Sequence, residues 1–193
     1  MACTAVSLKI ELKIVDPRLP GWGFPRYGSS LAAGLDLFAC LAEPALLRPQ
    51  APPALISTGL AFHIADPDWC ALVLPRSGLG HRTGLVLGNA VGLIDADYEG
   101  TIFVSAWNRN PVHSASANPS RNNPTSADLV GDEPAGILIQ PGDRIAQLVF
   151  TRVTRPEFTV VEAFSTHGDR RQDGFGSTGV ASACPNRAVR RNS

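Results

Sequence analysis

Two short segments of this sequence combine residue types that could act on a phosphate group. "PRSGLG" (Pro75–Gly80) places Arg76, Ser77 and Gly78 directly after an apolar run. Serine and glycine at the start of a helical turn leave backbone N–H groups free to bind an anion, and the guanidinium adds positive charge. By itself this pattern is weak, because a turn that ends a strand beside a surface arginine has the same sequence.

The second segment is "GLIDADYEG" (Gly92–Gly100), which supplies a candidate general base. Apolar residues lead into Asp95, and a turn follows with Tyr98 close by. A carboxylate at the buried end of a strand is costly unless it is used, so we interpret Asp95 as the base. Asp97 is explained as a turn-forming residue.

Two further segments contribute polar groups. In "QPGDRIAQL" (Gln140–Leu148), Gln147 interrupts an apolar strand, and both a site role and an outward-facing position remain open. "DGFGSTG" (Asp173–Gly179) holds three glycines, two hydroxyls and Phe175, with no helix or strand pattern. Its glycines would allow the backbone to approach phosphates closely.

Other chemistries lack their signatures. The sequence has neither a P-loop nor a dinucleotide-binding fingerprint, and its four histidines show no metal-ligand spacing. Four cysteines are scattered without a C-x-x-C pair, so we expect no zinc site and infer a reducing compartment. They are Cys3, Cys40, Cys70 and Cys184.

The sequence predicts that short strands position these residues. Glycine (18 residues) and proline (16 residues) punctuate the chain densely, and no stretch sustains a helical period over four turns. At most Arg76–His81 makes a turn or two of helix. The sequence therefore predicts an all-β sandwich or barrel, such as a jelly roll. The predicted strands are Ser7–Val15, Gly34–Cys40, Ala54–Ile64, Cys70–Pro75, Gly84–Asp95, Gly100–Asn108, Gly136–Gln140, Arg144–Val153 and Glu157–Phe164.

Composition narrows the class of protein. The 193 residues are 44% hydrophobic, which is enough for a core, and 17 basic residues balance 17 acidic ones. This balance argues against a binder of nucleic acid or membrane surfaces. The first 15 residues fit neither a signal peptide nor a membrane span, so we expect a cytoplasmic protein.

Two regions depart from the strand pattern. Asn110–Ala135 is rich in Asn, Ser and Pro, and we predict a flexible insertion loop that is dispensable for catalysis. We expect one domain over residues 1–165, followed by a C-terminal arm over residues 166–193 with a disordered basic end.

Taken in order, the segments resemble a known family. "AAGLDLFAC", "LPRSGLGHRTGLVLGNAVGLIDADYEGTIFVSAWN", "QPGDRIAQLVF" and "DGFGSTG" are similar to the five motifs of the homotrimeric dUTP diphosphatases (dUTPases), especially the bacterial ones. The resemblance runs from about Lys9 to Gly179 and omits the insertion. Any one motif is a modest signal, but all five in order are a strong one.

The resemblance implies a fold, an assembly and a reaction. It implies a distorted jelly roll and a homotrimer in which all three subunits build each active site. It also implies Mg²⁺-dependent hydrolysis of dUTP to dUMP and pyrophosphate. That reaction would limit uracil incorporation into DNA and supply dUMP for dTMP synthesis.

The resemblance also implies roles for individual residues. Asp95 would activate the attacking water, Asp36 would hold water on the metal, and Tyr98 would pack under the deoxyribose. The phosphate-binding positions are Arg76, Ser77, Gly78 and Gln147. The hairpin that reads uracil would use Asn89 and the backbone of Leu93, Ile94 and Phe103. A mobile arm would close over the nucleotide with Arg170, Phe175, Gly176, Ser177 and Thr178.

The chain differs from the family pattern in its arm. Where the family usually reads R-G-x-G-G-F-G-S-T-G, this sequence reads "RRQDGFGSTG", so that Arg171 and Asp173 replace glycines. Two consequences remain open: weaker closure of the arm, or an additional phosphate contact from Arg171. The insertion is the second difference.

Two alternatives remain beside dUTP hydrolysis. The related dCTP deaminases share the fold, although "IDADYEG" with Asn89 upstream favours the diphosphatase. A trimer that binds nucleotide without hydrolysing it is a different class of protein, and the presence of Asp36, Asp95 and Phe175 argues against it. An assay with dUTP and dCTP separates all three.

Overall fold

The computed structural model describes residues 8–112 and 136–166. The chain divides into two compact units, Met1–Arg155 and Pro156–Ser193. The described part of the first unit holds ten strands, one short α-helix and a 3₁₀ turn at Leu19–Trp22. The strands are β1 (Glu11–Ile14), β2 (Leu35–Phe38), β3 (Ala45–Leu47), β4 (Ala54–His63), β5 (Trp69–Pro75), β6 (Leu85–Leu87), β7 (Gly92–Ile94), β8 (Thr101–Asn108), β9 (Ile137–Ile139) and β10 (Arg144–Arg152), and the helix is α1 (Ser77–Arg82).

The strands form two four-stranded antiparallel sheets and one small two-stranded antiparallel sheet. The first sheet has the order β1-β4-β8-β6, the second has the order β2-β10-β5-β7, and β3 pairs with β9. Neighbours in the sheets are mostly distant in sequence, as expected for the crossing connections of a sandwich. The predicted all-β class with one very short helix is confirmed.

Alternating apolar residues explain why both sheets share one core. In β8, Ile102, Val104 and Ala106 are buried while Phe103 between them is half exposed. Leu148 of β10, in the other sheet, belongs to the same apolar cluster. The two sheets therefore pack face to face as a β-sandwich.

Two predicted strands differ from the structure, and one observed strand was not predicted. The strand expected over Gly84–Asp95 is split into β6 and β7, because Ala90 has a φ of 61° and the backbone turns there. β3 was not predicted, because it lies between prolines and is too short to show a periodicity. The strand expected over Glu157–Phe164 does not form, and residues 156–166 contain no helix or strand.

A close contact fixes the end of β2 beside β4. Gly59 has a φ of 68°, and a Cβ atom there would lie 2.5 Å from both Asp16 Cβ and Cys40 Sγ. Hydrogen bonding from the Arg18 guanidinium lowers the pKa of Asp16 from its ordinary value of 3.8 to about 2. Burial, reinforced by the Asp16 charge, raises the pKa of the Cys40 thiol to about 12.

No helix in the described ranges, 8–112 and 136–166, is long and apolar enough to cross a membrane.

Candidate active site

One cavity gathers the residues predicted to bind phosphate. It measures about 240 Å³ and lies where β5 ends and α1 begins. Its polar lining is rich in nitrogen donors, which suits an anionic ligand. The lining residues are Asp36, Arg76, Ser77, Gly78, Leu79, Arg82 and Gln147.

The register of the second sheet brings these residues together. Gln147 of β10 lies opposite Asp36 on β2 and opposite Leu74 on β5. Gln147 is half-buried, and its Nε2 atom donates a hydrogen bond of 3.0 Å to the carbonyl of Pro75. Of the two interpretations left open for Gln147, its position in the cavity lining favours the site role.

Asp36, which lines this cavity, forms ion pairs with two arginines. Its Oδ1 atom lies 2.9 Å from Nε of Arg76, and its Oδ2 atom lies 3.2 Å from Nη1 of Arg144. Nη1 of Arg76 also donates to the backbone carbonyl of Arg144, at 3.1 Å. The Arg76 guanidinium is thus held on two sides, which fixes its orientation before any ligand arrives.

A second cavity contains the candidate base. It measures about 230 Å³ and is lined by the end of β7, the following turn and the start of β8. The Tyr98 hydroxyl donates to the carbonyl of Thr101 at 3.2 Å, and its ring covers Gly100, where a Cβ atom would collide with it. The lining residues are Leu93, Ile94, Asp95, Tyr98, Thr101, Ile102 and Phe103.

Two details of this cavity differ from expectation. Asp95 is exposed in the single chain and does not end a strand in the core, because β7 is a three-residue edge strand whose partner among the described residues is β5. Asn89 lies in the exposed turn before β7 and is not part of the cavity lining. Its amide nitrogen is 3.6 Å from the Cβ position of Gly92, so it flanks β7.

The two cavities lie at opposite ends of β5. Ile94 pairs with Ala71, which places Asp95 level with Cys70 at the start of the strand. The Asp95 charge also contributes to raising the pKa of the Cys70 thiol, after burial, and this supports their proximity. Arg76 follows the other end of β5, six residues further on. At about 3.3 Å per residue, roughly 20 Å separate the two positions.

The sequence prediction missed two arginines: Arg82, which lines the first cavity, and Arg144, which contacts Asp36 of its lining. Arg144 lies 108 residues from Asp36 in sequence, and Arg82 is at the end of α1. Neither has a local signal, because an arginine at a strand start or a helix end is common on any surface. The predicted arm residues Arg170, Phe175, Gly176, Ser177 and Thr178 lie outside the described residues.

In the described residues, neither cavity has a complete set of side-chain ligands for a metal ion. Within residues 8–112 and 136–166, no group of three or more His, Cys, Asp or Glu side chains could hold a metal ion. Asp36 is the acidic residue of the first cavity, and each of its oxygens already faces a guanidinium.

Comparison with known proteins identifies the family. The dUTPase family model matches residues 21–113 and 131–179. The deoxyuridine 5'-triphosphate nucleotidohydrolase of Klebsiella pneumoniae subsp. pneumoniae is 46% identical over 172 residues, which cover 89% of this chain and 97% of the relative. The chain belongs to the dUTPase family. A second dUTPase relative, from Burkholderia cenocepacia, is 44% identical and is covered over 99% of its length.

Solved dUTPase structures share the fold. The dUTPase of Staphylococcus bacteriophage 80alpha with dUPNHPP has a TM-score of 0.72 and 27% identity, covering 90% of this chain and all of that one. A mutant dUTPase from phage phi11 of S. aureus has a TM-score of 0.64 and 26% identity, covering 82% of this chain and 99% of that one. That phage enzyme coordinates a structural Mg(II) ion. The protein is thus a dUTP-hydrolysing enzyme with the dUTPase β-fold.

Proposed function

We propose that the enzyme cleaves dUTP between its α- and β-phosphates, with Asp95 as general base, in active sites shared between the subunits of a homotrimer. The first cavity binds the phosphates and the second binds the nucleoside and the attacking water. Supporting observations are the family match and the residues that line each cavity.

The separation along β5 carries the proposal of shared sites. Asp95 must hold a water at the α-phosphate, and a hydrogen bond spans only about 3 Å. Arg76, on the same chain, is roughly 20 Å away along the strand. Because this backbone separation is several times the length of one P–O–P link, we infer that each dUTP uses Asp95 and Arg76 of different chains. A second copy supplies the missing half of each site.

The proposed chemistry is an in-line displacement at phosphorus. Asp95 accepts a proton from water as the water oxygen bonds to the α-phosphorus. The bond from that phosphorus to the bridging oxygen breaks, and pyrophosphate leaves with the electron pair. Arg76 and the side chains of Ser77 and Gln147 stabilise the negative charge that builds on the phosphate oxygens.

Uracil recognition is assigned to β7, the turns that flank it and the start of β8, which belongs to the other sheet. The backbone of Leu93, Ile94 and Phe103 would read the base, with Asn89 beside it and Tyr98 under the deoxyribose. Leu93 is 61% exposed and Phe103 is 48% exposed, so this surface is free to receive a ligand. The arm of a further subunit would close over the nucleotide with Phe175 on the uracil ring.

The residues of this site fit a Mg²⁺ ion that would bind together with the substrate. Mg²⁺ prefers oxygen ligands and keeps several waters, so phosphate oxygens, waters and one carboxylate suffice. Asp36 has the required donor type, and each carboxylate oxygen retains a lone pair beyond its arginine contact. Bound there, the ion would neutralise charge on the triphosphate. Asp36 itself orients Arg76, and it would accept hydrogen bonds from water held by that ion.

The proposed reaction places the enzyme in nucleotide metabolism. Removing dUTP limits uracil incorporation into DNA, and the product dUMP is the substrate for methylation to dTMP.

Complementation between two inactive variants tests the shared sites. Arg76→Ala and Asp95→Asn are each expected to be nearly inactive alone. Coexpressed, they form mixed trimers in which about a quarter of sites combine an intact Asp95 with an intact Arg76 from a neighbour. Pyrophosphate release from dUTP should therefore return to roughly that fraction of the wild-type rate. No recovery in mixed trimers, or full activity in a monomer by light scattering, would exclude shared sites.

A further inference from the structure

The helix α1 is too short to be stable through its own residues alone. It has six residues, none of them buried, and a helix of this length does not persist in water without external contacts. Ser77 and Gly78, which line the phosphate cavity, begin this helix. Their position therefore depends on what holds α1 from outside.

Two side chains that follow β8 hold the other end of α1. Nη2 of Arg109 donates to the carbonyl of Gly80 at 2.8 Å, and Nδ2 of Asn110 donates to the carbonyl of Thr83 at 2.7 Å. The last carbonyls of a helix lack partners within the helix, and a positive charge near them is stabilising. Arg109 and Asn110 supply these partners from the segment that follows β8.

The close fit at Gly84 strengthens this arrangement. Gly84 has a φ of 81°, and a Cβ atom there would lie 2.3 Å from Oδ1 of Asn110. The backbone N–H of Arg109 donates to the Gly84 carbonyl at 3.1 Å. The segment after α1 is thus fastened to β8 by backbone as well as side-chain bonds.

Arg109 and Asn110 are themselves fixed in place. Asn108, at the end of β8, is 1% exposed, and its amide donates to the carbonyl of Leu47. Nε2 of Gln50 donates to the carbonyl of Arg109 at 2.8 Å and to that of Asn110 at 3.2 Å. A rigid strand end therefore presents the two donors to α1.

We propose that Arg109, assisted by Asn110, is a positioning residue for the phosphate cavity. It sets the placement of Ser77 and Gly78 by capping α1, and it contacts no substrate itself. The inference rests on the proposed function of that cavity. The nucleoside cavity lies at the other end of β5, so Arg109 acts on phosphate binding and leaves nucleoside binding unchanged.

The test compares Arg109→Ala, Arg109→Lys and Asn110→Ala with wild type. Arg152→Ala is the matched control, because its guanidinium stacks on the Trp69 ring and lines neither cavity. Calorimetry measures the Kd for pyrophosphate and for deoxyuridine, and hydrogen exchange follows the backbone amides of residues 79–84. None of these measurements requires turnover.

In Arg109→Ala we expect the Kd for pyrophosphate to rise about tenfold, the loss typical of one hydrogen bond from a charged donor. Amide exchange over residues 79–84 should accelerate, and the Kd for deoxyuridine should stay at the wild-type value. Arg109→Lys should recover part of the affinity because it keeps the charge, and Asn110→Ala should show a smaller effect in the same direction.

Unchanged amide exchange in Arg109→Ala would overturn the proposal, and so would equal losses of affinity for pyrophosphate and deoxyuridine. Failure of the proposed function has a different signature. In that case the wild-type enzyme would not bind pyrophosphate, while faster exchange in Arg109→Ala would still show that Arg109 holds α1.

Discussion

Nε of Arg76 lies 2.9 Å from Oδ1 of Asp36, and both residues line the same cavity. A carboxylate that orients an arginine contributes to anion binding without touching the anion. Arg144, on the other oxygen of Asp36, shares that carboxylate and offsets its charge. Asp36, which is expected to hold water on the metal, thus also pairs with Arg76 and Arg144 of the protein.

We expect Asp36→Asn to raise the KM for dUTP by about tenfold or more, since a charged hydrogen-bond partner of Arg76 is lost. Calorimetry with the non-hydrolysable imido analogue separates the two roles of Asp36. If Asp36 orients Arg76, weaker binding persists in EDTA. A deficit that appears only with Mg²⁺ would assign Asp36 to the metal alone.

Asp95→Asn should preserve the fold and dUTP binding and lower kcat by about 10²- to 10⁴-fold. Asparagine keeps the shape of the side chain and removes the proton acceptor. Asp97→Asn, two residues away in the same turn, is the matched control and should keep wild-type turnover. Steady-state kinetics that show near-normal kcat for Asp95→Asn would contradict its assignment as the base.

Truncation after His167 should leave a folded trimer with little activity, because the residues expected to close over the nucleotide are removed. Phe175→Ala should lose much of the activity, since stacking on a base contributes about 1–3 kcal/mol, and Phe175→Trp should retain part of it. Light scattering and pyrophosphate release measure both effects. Full activity in the truncated enzyme would show that the arm takes no part.

Gly59→Ala should lower the free energy of unfolding by about 2–4 kcal/mol. An alanine there must adopt a positive φ and also displace Asp16 or Cys40. Gly21→Ala is the control, because no heavy atom of the described residues lies within 4 Å of the Cβ position at Gly21. Urea denaturation of both variants gives the comparison, and equal midpoints would refute the steric explanation.

Acid should remove the contribution of the Asp16–Arg18 ion pair. The pKa of Asp16 in the folded protein is about 2, below the ordinary 3.8, so this contribution is complete above about pH 4 and is lost as the pH falls towards 2. Asp16→Asn should therefore be less stable than wild type at pH 7, with a difference that shrinks below pH 4. Thermal melts across pH 2–7 test this, and a constant difference would rule it out.

The sequence correctly predicted the strands that a local alternation of apolar residues specifies. β4, β8 and β10 carry long apolar alternations, and their existence and approximate bounds were recovered. Glu157–Phe164 shows the same alternation without forming a strand, because a strand also requires a hydrogen-bonded neighbour that periodicity does not specify.

Most residues of the candidate site were predicted from the resemblance to family motifs, and fewer from physical arguments about charge, burial and turns. Arg76 and Asp95 were found because their segments are distinctive. Arg144 was missed because its role comes from its contact with Asp36. The pairing of β2 with β10 brings these two residues together, and the local sequence does not show that pairing. The exposure of Asp95 could not be predicted either, because it reflects the edge position of β7 in the sheet.

The placement of the two cavities at opposite ends of β5 has a genetic consequence. In the shared arrangement proposed above, a subunit that carries both Arg76→Ala and Asp95→Asn damages two sites of its trimer. In a cell that makes equal amounts of this subunit and the normal one, about a quarter of sites would stay intact, compared with about half for self-contained subunits. Such an allele would be partially dominant over the normal copy.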